Sequence, residues 1–292
     1  MKTILLLFLS VCDMQADRTV DAIPLPAGFH RVMSDAASFA AWLRKVPLKK
    51  DNTVYLFNGQ RKANQDAQFA VLNISVGHED LQQCADAVMR LRAEYLFSIH
   101  DFKAIDFYTE QGVRLNFALW AAERKVQLAD RGKGVVASGK EGVAVARGEG
   151  VVGGAVGRGQ VVVGGAVGSG QEARRRSCFD AYLRTVFTYC STRTLHKQLL
   201  PARSFGSIQA GDVLIRAGSP GHAMLVIDVA EDNRGHRIYL LAQSYMPAQD
   251  IHIVKNPLDA AFSPWYRADT TASVIQTPEY DFTTNELRVW AR

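Results

Sequence analysis

The sequence has few of the residues that hold metals or phosphate groups. It contains only four cysteines in 292 residues, no CxxC pair and no HxxxH spacing. Because protein zinc sites depend on such short spacings, we expect no metal centre. Its glycine-rich stretch lacks the Lys-Ser or Lys-Thr pair of a phosphate-binding loop. We therefore expect no nucleotide or other cofactor.

Long apolar runs are also lacking. The run near the N-terminus, Ile4–Val11, is too short for a membrane-spanning helix, which needs about 20 apolar residues. It follows Lys2 and precedes Cys12, which is the order of charged and apolar regions in an export signal. Leu9-Ser10-Val11-Cys12 resembles a bacterial lipoprotein processing site. We interpret residues 1–16 as an export signal, with or without a lipid anchor at Cys12; a buried apolar N-terminus is the alternative.

The charge distribution does not point to nucleic acid. The chain carries a formal net charge of +5. Apart from Arg174–Arg176, however, its basic residues are scattered and are not interleaved with aromatic side chains. Nucleic-acid-binding surfaces concentrate both kinds of side chain on one face. We therefore predict no nucleic-acid partner, and we expect contact with a membrane only through the lipid anchor.

Residues 130–174 differ in composition from the rest of the chain. They contain 14 of the 23 glycines and no aromatic residue, and VVGGAVGRGQ at 151–160 recurs as VVGGAVGSGQ at 162–171. Glycine loses much backbone entropy on folding, and alanine and valine bury little surface. This composition predicts a disordered low-complexity insertion. We expect it to interrupt one domain that is formed by residues 22–129 and 175–292.

The predicted elements fall into helices followed by strands. Either Ser34 or Ser38 caps a first helix, and a second helix is predicted from about Asp80 to Leu96. A third has apolar residues at helical spacing between Cys178 and Cys190. Strands are predicted at 54–57 and 69–76, and then at 212–215, 222–229, 238–242 and 251–254. This order predicts an α+β fold in which helices pack on a small antiparallel sheet.

A histidine stands at the beginning of one predicted strand. In GSPGHAMLVIDV, residues 218–229, a tight turn leads directly into His222. A hairpin turn at Asn233-Arg234-Gly235 then returns the chain, so that Gln243 lies on the strand beside His222. A polar side chain next to an imidazole can fix its tautomer and orientation. To act in catalysis, such a pair also needs a nucleophile. A cysteine at a helix start is suitable, because the helix dipole lowers the pKa of its thiol.

The stretch from Ile208 to Ser244 resembles the second half of an NlpC-type or CHAP-type cell-wall amidase. These enzymes have a papain-like fold with a catalytic cysteine at a helix N-terminus. The resemblance implies that His222 is the base and that Gln243 is the orienting residue. It also implies that the substrate is peptidoglycan or another envelope peptide.

A second resemblance covers almost the whole ordered chain. The segments LQQCADAVMRLRAEYLFS, GDVLIRAGSPGHAMLVIDV and LLAQSYMPAQDIHIVKNP resemble a bacterial family, often exported, that is known only as a domain of unknown function. This resemblance implies an exported bacterial protein of the periplasm or outer membrane, and it supplies no activity. The glycine-rich insertion and residues 120–126 depart from the pattern of that family.

Two cysteines compete for the role of nucleophile. Cys84 lies near the start of the predicted helix at 80–96, which Asp80 can cap, and inside the first family segment. Cys178 follows Ser177, a good helix cap, and precedes the strands at a spacing that suits the amidases. We favour Cys84, because an activity shared by the family needs a nucleophile shared by the family. A buried core residue is the alternative for either cysteine.

The remaining candidates have structural alternatives. His222 can simply donate a hydrogen bond to a backbone carbonyl, and Gln243 can be a core amide whose hydrogen bonds are satisfied. His252 and Asp228 are weaker candidates for the orienting role. The helix residues 86, 90 and 94 are acidic, basic and acidic, which predicts a salt-bridge ladder on a polar face, or else a charged groove wall.

The sequence thus favours an exported cysteine amidase or peptidase of the cell envelope. In that mechanism the thiolate of Cys84 attacks a carbonyl, and His222 transfers the proton. The competing interpretation is a non-catalytic envelope protein that uses the same scaffold to bind a peptide, a glycan or a partner.

Overall fold

The computed structural model describes residues 18–126, 128 and 167–291. The predictions for residues 1–16 and for most of the segment 130–174 lie outside these residues. The helices are α1 (Phe39–Arg44), α2 (Cys84–Ser98), α3 (Phe117–Glu123), α4 (Val167–Tyr189) and α5 (Thr192–Gln198). The strands are β1 (Phe29–Arg31), β2 (Gln68–Val71), β3 (Asp106–Tyr108), β4 (Arg114–Asn116), β5 (Leu199–Pro201), β6 (Val213–Arg216), β7 (His222–Asp232), β8 (Arg237–Gln243), β9 (His252–Val254), β10 (Tyr266–Arg267), β11 (Val274–Gln276), β12 (Asp281–Thr283) and β13 (Leu287–Trp290).

Nine of these strands form one antiparallel sheet in the described part of the chain. Its order is β2-β9-β8-β7-β6-β13-β5, while β1 also pairs with β7 and β10 with β8. The α+β class is therefore confirmed, but the expectation of a small sheet is wrong. The four strands predicted between residues 212 and 254 form the centre, and strands from both ends of the chain widen it. Of these added strands, β2 overlaps the strand predicted at 69–76, whereas the strand predicted at 54–57 forms only isolated bridges at Tyr55 and Leu56. The other added strands have two to four residues, too few to show an alternating pattern.

The centre of the sheet follows from the apolar sequence of β7 and β8. Nearly all residues of both strands are buried, as expected where each face of a sheet is covered. The hairpin between them closes at Gly235, whose N–H donates to the carbonyl of Asp232 at 3.0 Å. The φ of Gly235 is 80°, in the left-handed region that favours glycine. The hairpin sets the register that places Gln243 beyond Ala242, the partner of Leu225.

The two faces of the sheet pack against different parts of the chain. Ala223 and Leu225 of β7 belong to a core that includes the apolar residues of α2 and α4. Met224 and Val226 belong to a second core, formed with the C-terminal strands. Because side chains alternate along a strand, His222 lies on the second face, with Met224. At the start of β7, His222 therefore lies on the face of the second core, and Ala223 lies on the face that packs against α2 and α4.

Two helices begin at different residues from those predicted. Helix α2 begins at Cys84 and not at Asp80, and α4 begins at Val167 and continues through Ser177. Ser177 is therefore not a helix cap, and Cys178 lies in the interior of its helix. By contrast, Ser38 is the cap of α1, where its Oγ accepts from the N–H of Ala41 at 3.2 Å. Within residues 18–126, 128 and 167–291, none of the helices combines the length and apolar character needed to span a bilayer.

Candidate functional site

The loop before α2 is fixed to the loop that follows β8. Ser244, directly after β8, donates its hydroxyl to the carbonyl of Gln82 at 3.0 Å. Asp80 accepts from the N–H of Ala248 at 2.6 Å, so its carboxylate anchors this loop and does not cap the helix. These bonds place Cys84, the first residue of α2, at the end of the central strands.

Cys84 is buried where α2 meets the start of β7. It is 8% exposed, and its thiol lies beside the backbone N–H of Ala223, the residue after His222. Burial raises the pKa of the Cys84 thiol to about 11, and the Asp86 carboxylate adds to this increase. The backbone amides of Ala223, Ala85 and Cys84 act in the opposite direction, because N–H dipoles favour the thiolate. The thiol is therefore protonated at neutral pH in the unliganded protein.

A buried hydrogen-bond chain fixes the tautomer of His222. Nε2 of His222 lies 2.8 Å from Oε1 of Gln243, and Nε2 of Gln243 donates to Oε2 of Glu279 at 2.8 Å. A carboxylate only accepts, so the amide nitrogen of Gln243 faces Glu279 and its oxygen faces His222. Nε2 of His222 must then carry the proton. Nδ1 is left as the basic nitrogen, and no hydrogen bond to another described residue occupies it.

Two further side chains hold this chain in place. Lys62 contacts Oε2 of Glu279 at 2.5 Å, and both side chains are largely buried. Nε2 of His252 lies 3.2 Å from the amide nitrogen of Gln243, while Nδ1 of His252 donates to the carbonyl of Asp250 at 2.9 Å. His252 therefore accepts from Gln243. It helps to orient Gln243 and makes no hydrogen bond to His222.

Aromatic rings enclose the imidazole of His222. The ring centroids of Tyr245, Tyr280 and Phe282 lie 4.7, 4.9 and 5.9 Å from the His222 ring. His222 is 2% exposed, and burial lowers its pKa to about 4. The imidazole is therefore neutral at pH 7. A neutral imidazole with a free Nδ1 can accept a proton, which is what a general base must do.

Cys84 and His222 both lie at the beginning of β7, where the thiol is next to the backbone N–H of Ala223, the residue after His222. The ring of Tyr245 packs on His222, and burial raises the pKa of its phenol, with further increases from the nearby Glu279 and Cys84 side chains. Among the described residues, no hydrogen bond joins the Cys84 thiol to the His222 ring. The fold thus gathers Cys84, His222 and Gln243 at one end of the central strands, with the thiol and imidazole not bonded to each other.

A cleft of about 300 Å³ opens on the thiol side of this region. Its walls are the start of α2, the α4–α5 junction and the turn at residues 218–221, and both Cys84 and Cys190 line it. Gly221 permits this arrangement, because a Cβ at that position would approach Oγ1 of Thr192 to 2.6 Å. The cleft therefore gives a ligand access to the beginning of α2.

Two candidates from the sequence lie elsewhere. Cys178 packs with the aromatic residues of α4 in the main core and does not line the cleft. Asp228 is fully buried, and its carboxylate accepts from Nε of Arg31 at 2.7 Å and of Arg44 at 2.6 Å. Six residues along β7 separate Asp228 from His222, which corresponds to about 20 Å. Asp228 therefore cannot orient His222.

The predicted salt-bridge ladder forms only in part. Nε of Arg90 lies 3.5 Å from a carboxylate oxygen of Glu94, as expected for an i, i+4 pair. Asp86 does not join them, because Oδ2 of Asp86 accepts from the N–H of Gln83 at 3.0 Å at the helix start. Asp86 is only 6% exposed and lines the cleft. The prediction of a polar face at residue 86 is therefore wrong.

Sequence reasoning did not identify Glu279, Lys62 or Tyr245. Lys62 and Glu279 are 217 positions apart and lie in loops, where no periodicity marks a buried residue. The aromatic character of Tyr245 is an ordinary feature after a strand. These three residues could be assigned to the site only with knowledge of which loops pack around His222.

The two buried histidines make the stability of the protein depend on pH. Burial lowers the pKa of His222 to about 4 and that of His252 to about 3, from an ordinary value of 6.5. Between pH 6.5 and the lowered pKa of each histidine, the unfolded chain binds a proton that the folded chain excludes. The stabilisation is therefore complete above pH 6.5 and is lost as the pH falls toward 4. For His222 alone the loss at pH 4 is about 3 kcal/mol.

Denaturant unfolding at pH 7 and at pH 4 checks this expectation. A His222→Gln variant lacks the titrating group, so its free energy of unfolding should fall by about 3 kcal/mol less than that of the native protein. Other acid-labile groups are common to both proteins and cancel in the comparison. An equal loss of stability in both would mean that His222 is not held neutral by the fold.

Comparison with protein families gives one match. A family model described as Domain of unknown function (4846) matches residues 20–145 and 158–289, which is most of the chain. Of the glycine-rich segment only residues 146–157 lie outside the match, and residues 120–126 lie inside it, so the departure expected at residues 120–126 and over most of the segment is wrong. Searches of curated proteins and of solved structures found no match. Because the family model covers far more than half of the sequence, this chain belongs to the family described as Domain of unknown function (4846).

Proposed function

We propose that this chain is a cysteine amidase or peptidase. Cys84 is the nucleophile, His222 the base and Gln243 the orienting residue. The observation that carries the proposal is the hydrogen bond that Nε2 of His222 donates to Gln243, whose orientation is fixed by Glu279, so that Nδ1 is left as the basic nitrogen at the start of β7. The backbone N–H of the next residue, Ala223, already lies beside the thiol.

The chemistry follows from these positions. A peptide bound in the cleft brings its carbonyl to Cys84, Nδ1 of His222 takes the thiol proton, and the sulfur attacks the carbonyl carbon. Backbone amides at the start of α2 stabilise the oxyanion. His222 then gives its proton to the leaving amine as the C–N bond breaks. Water, deprotonated by His222, then attacks the thioester carbonyl. As the C–S bond breaks and the acid leaves, His222 returns the proton to the sulfur and restores the thiol.

The thiol and imidazole are a neutral pair before substrate binds. A thiol pKa of about 11 and an imidazole pKa of about 4 disfavour a resting thiolate–imidazolium pair. Proton transfer therefore accompanies attack on the carbonyl and does not precede it. This distinguishes the proposed mechanism from one with a preformed ion pair.

A papain-like core and an envelope location are parts of the same proposal. A cysteine at the first residue of a helix, next to an antiparallel sheet that carries the histidine, supports the papain-like core. The export signal predicted in residues 1–16 supports a periplasmic or outer-membrane location. At that location, the expected substrate is peptidoglycan or another envelope peptide.

A non-catalytic binding protein is the second candidate. It is favoured by the burial of His222 and by the absence of a hydrogen bond between His222 and Cys84 in the described structure. In that case the cleft beside Cys84 binds an envelope peptide, a glycan or a partner. The polar chain from Lys62 to His222 then only stabilises the fold around it.

Labelling with a thiol-reactive peptidyl probe distinguishes the two candidates. The probe is applied to the native protein and to the Cys84→Ala, Cys178→Ala and Cys190→Ala variants, and the adduct is located by peptide mass mapping. We expect Cys84→Ala to abolish labelling and the other two variants to keep it. Cys190→Ala is the matched control, because Cys190 lines the same cleft. Labelling that survives in Cys84→Ala would overturn the amidase proposal.

A further inference from the structure

Asp86 carries a buried acceptor without a partner. Its Oδ2 accepts from the N–H of Gln83, but its Oδ1 has no hydrogen-bond partner among the described residues. Folded proteins rarely leave a buried polar atom without a partner unless that atom has a role. Asp86 is 6% exposed and lines the same cleft as Cys84.

No cationic side chain in the lining of the cleft can pair with this carboxylate. The lining includes two acidic residues, Asp80 and Asp86, and no lysine or arginine. The carboxylate of Asp80 is already bonded to the N–H of Ala248 and to the side chain of Gln83. No group of three metal-binding side chains is found in the described part of the chain. A cation that pairs with Asp86 can therefore arrive as part of an organic ligand.

We infer that Asp86 binds a protonated amine of the substrate, so that the cleft selects peptides with a free amino group near the bond that Cys84 attacks. This inference rests on the proposed function and specifies its substrate class. Asp86 lies two residues after Cys84, within the first turn of α2. The Asp86 carboxylate is close enough to affect the Cys84 thiol, and both line one cleft, so we expect a bound ammonium group to be separated from the scissile carbonyl by about one or two residues.

The amine also changes the thiol itself. The Asp86 carboxylate raises the pKa of Cys84, and burial raises the pKa of Asp86 well above its ordinary value. An ammonium group that pairs with Asp86 stabilises its ionised form and offsets its effect on the sulfur. The free amine of the right substrate therefore favours loss of the thiol proton. An acetylated peptide of the same sequence lacks this effect.

The test uses one peptidyl probe in two forms, with a free N-terminal amine and with an acetylated one. We expect the native protein to react with the free-amine probe about tenfold faster or more, as for loss of a hydrogen bond to a charged group. Asp86→Asn keeps an acceptor for Gln83 but removes the charge, so the two probes should then react at similar rates. Asp101→Asn, at an exposed carboxylate beyond the C-terminal end of α2, is the control and should keep the preference.

A pH series gives a second readout that needs no variant. The preference of the native protein should decline above about pH 8, where an α-amino group loses its proton. Equal rates for the two probes on the native protein, or a preference that persists in folded Asp86→Asn, would overturn the inference while the cysteine hydrolase stands. Failure of both probes to label Cys84 would instead remove the proposed function and this inference with it.

Discussion

Replacement of His222 by glutamine is expected to slow labelling of Cys84 by the peptidyl probe by about 10²–10⁴-fold, the usual contribution of a general base. Glutamine has a similar size and can still hydrogen-bond to Gln243, so the buried chain that ends at Glu279 keeps its partner. What is lost is the basic Nδ1 at the start of β7. The measurement is the second-order rate of adduct formation, followed by intact mass.

A different histidine supplies the control for this variant. His236 is exposed in the β7–β8 hairpin, where its Nδ1 lies 2.9 Å from Asp232. We expect His236→Gln to label at the native rate. If folded His222→Gln also labels within about threefold of the native rate, the imidazole is not the base, and the polar chain around it has only a structural role.

Replacement of Asp228 by asparagine is expected to destabilise the protein by about 3–5 kcal/mol, because it leaves buried charges unpaired. The Asp228 carboxylate is fully buried between two arginine side chains that are themselves largely buried. An asparagine amide can accept from only one of them and carries no charge. The free energy of unfolding, measured with a chemical denaturant, should therefore fall sharply while the labelling rate of the folded protein is unchanged.

A surface pair provides the comparison. Asp21 contacts Lys45 at 2.7 Å, but the lysine side chain is 74% exposed. Asp21→Asn should cost less than about 1 kcal/mol, as for other exposed ion pairs. If Asp228→Asn is no more destabilising than Asp21→Asn, or if it lowers the labelling rate of the folded protein, Asp228 does not have the structural role assigned to it here.

The sequence sufficed for the centre of the fold. Strands β6 to β9 are predictable because turn residues bound each apolar run, and the hairpin at Gly235 fixes which strands are neighbours. The same pattern brings His222 and Gln243 together, as the structure has them. The α+β class follows from these elements, since helices precede the strands along the chain.

The rest of the site depends on contacts that leave no local pattern. The start of α2 is set by Asp80 and Ser244, which bond to residues far away in the sequence, so the helix begins four residues later than its composition predicts. Helical spacing alone assigned Asp86 to a polar face, although the N–H of Gln83 holds it inward at the helix start. Glu279 reaches Gln243 from a loop near the C-terminus.

The most direct test is a crystal structure of the protein after reaction with the peptidyl probe. We predict an adduct on Sγ of Cys84, a peptide chain in the cleft, and Nδ1 of His222 within about 3 Å of the sulfur or of the leaving-group position. The hydrogen bond from Nε2 of His222 to Gln243 should be retained. An adduct on another cysteine, or a His222 ring that remains enclosed by Tyr245 and Tyr280 with no path to Cys84, would contradict this prediction.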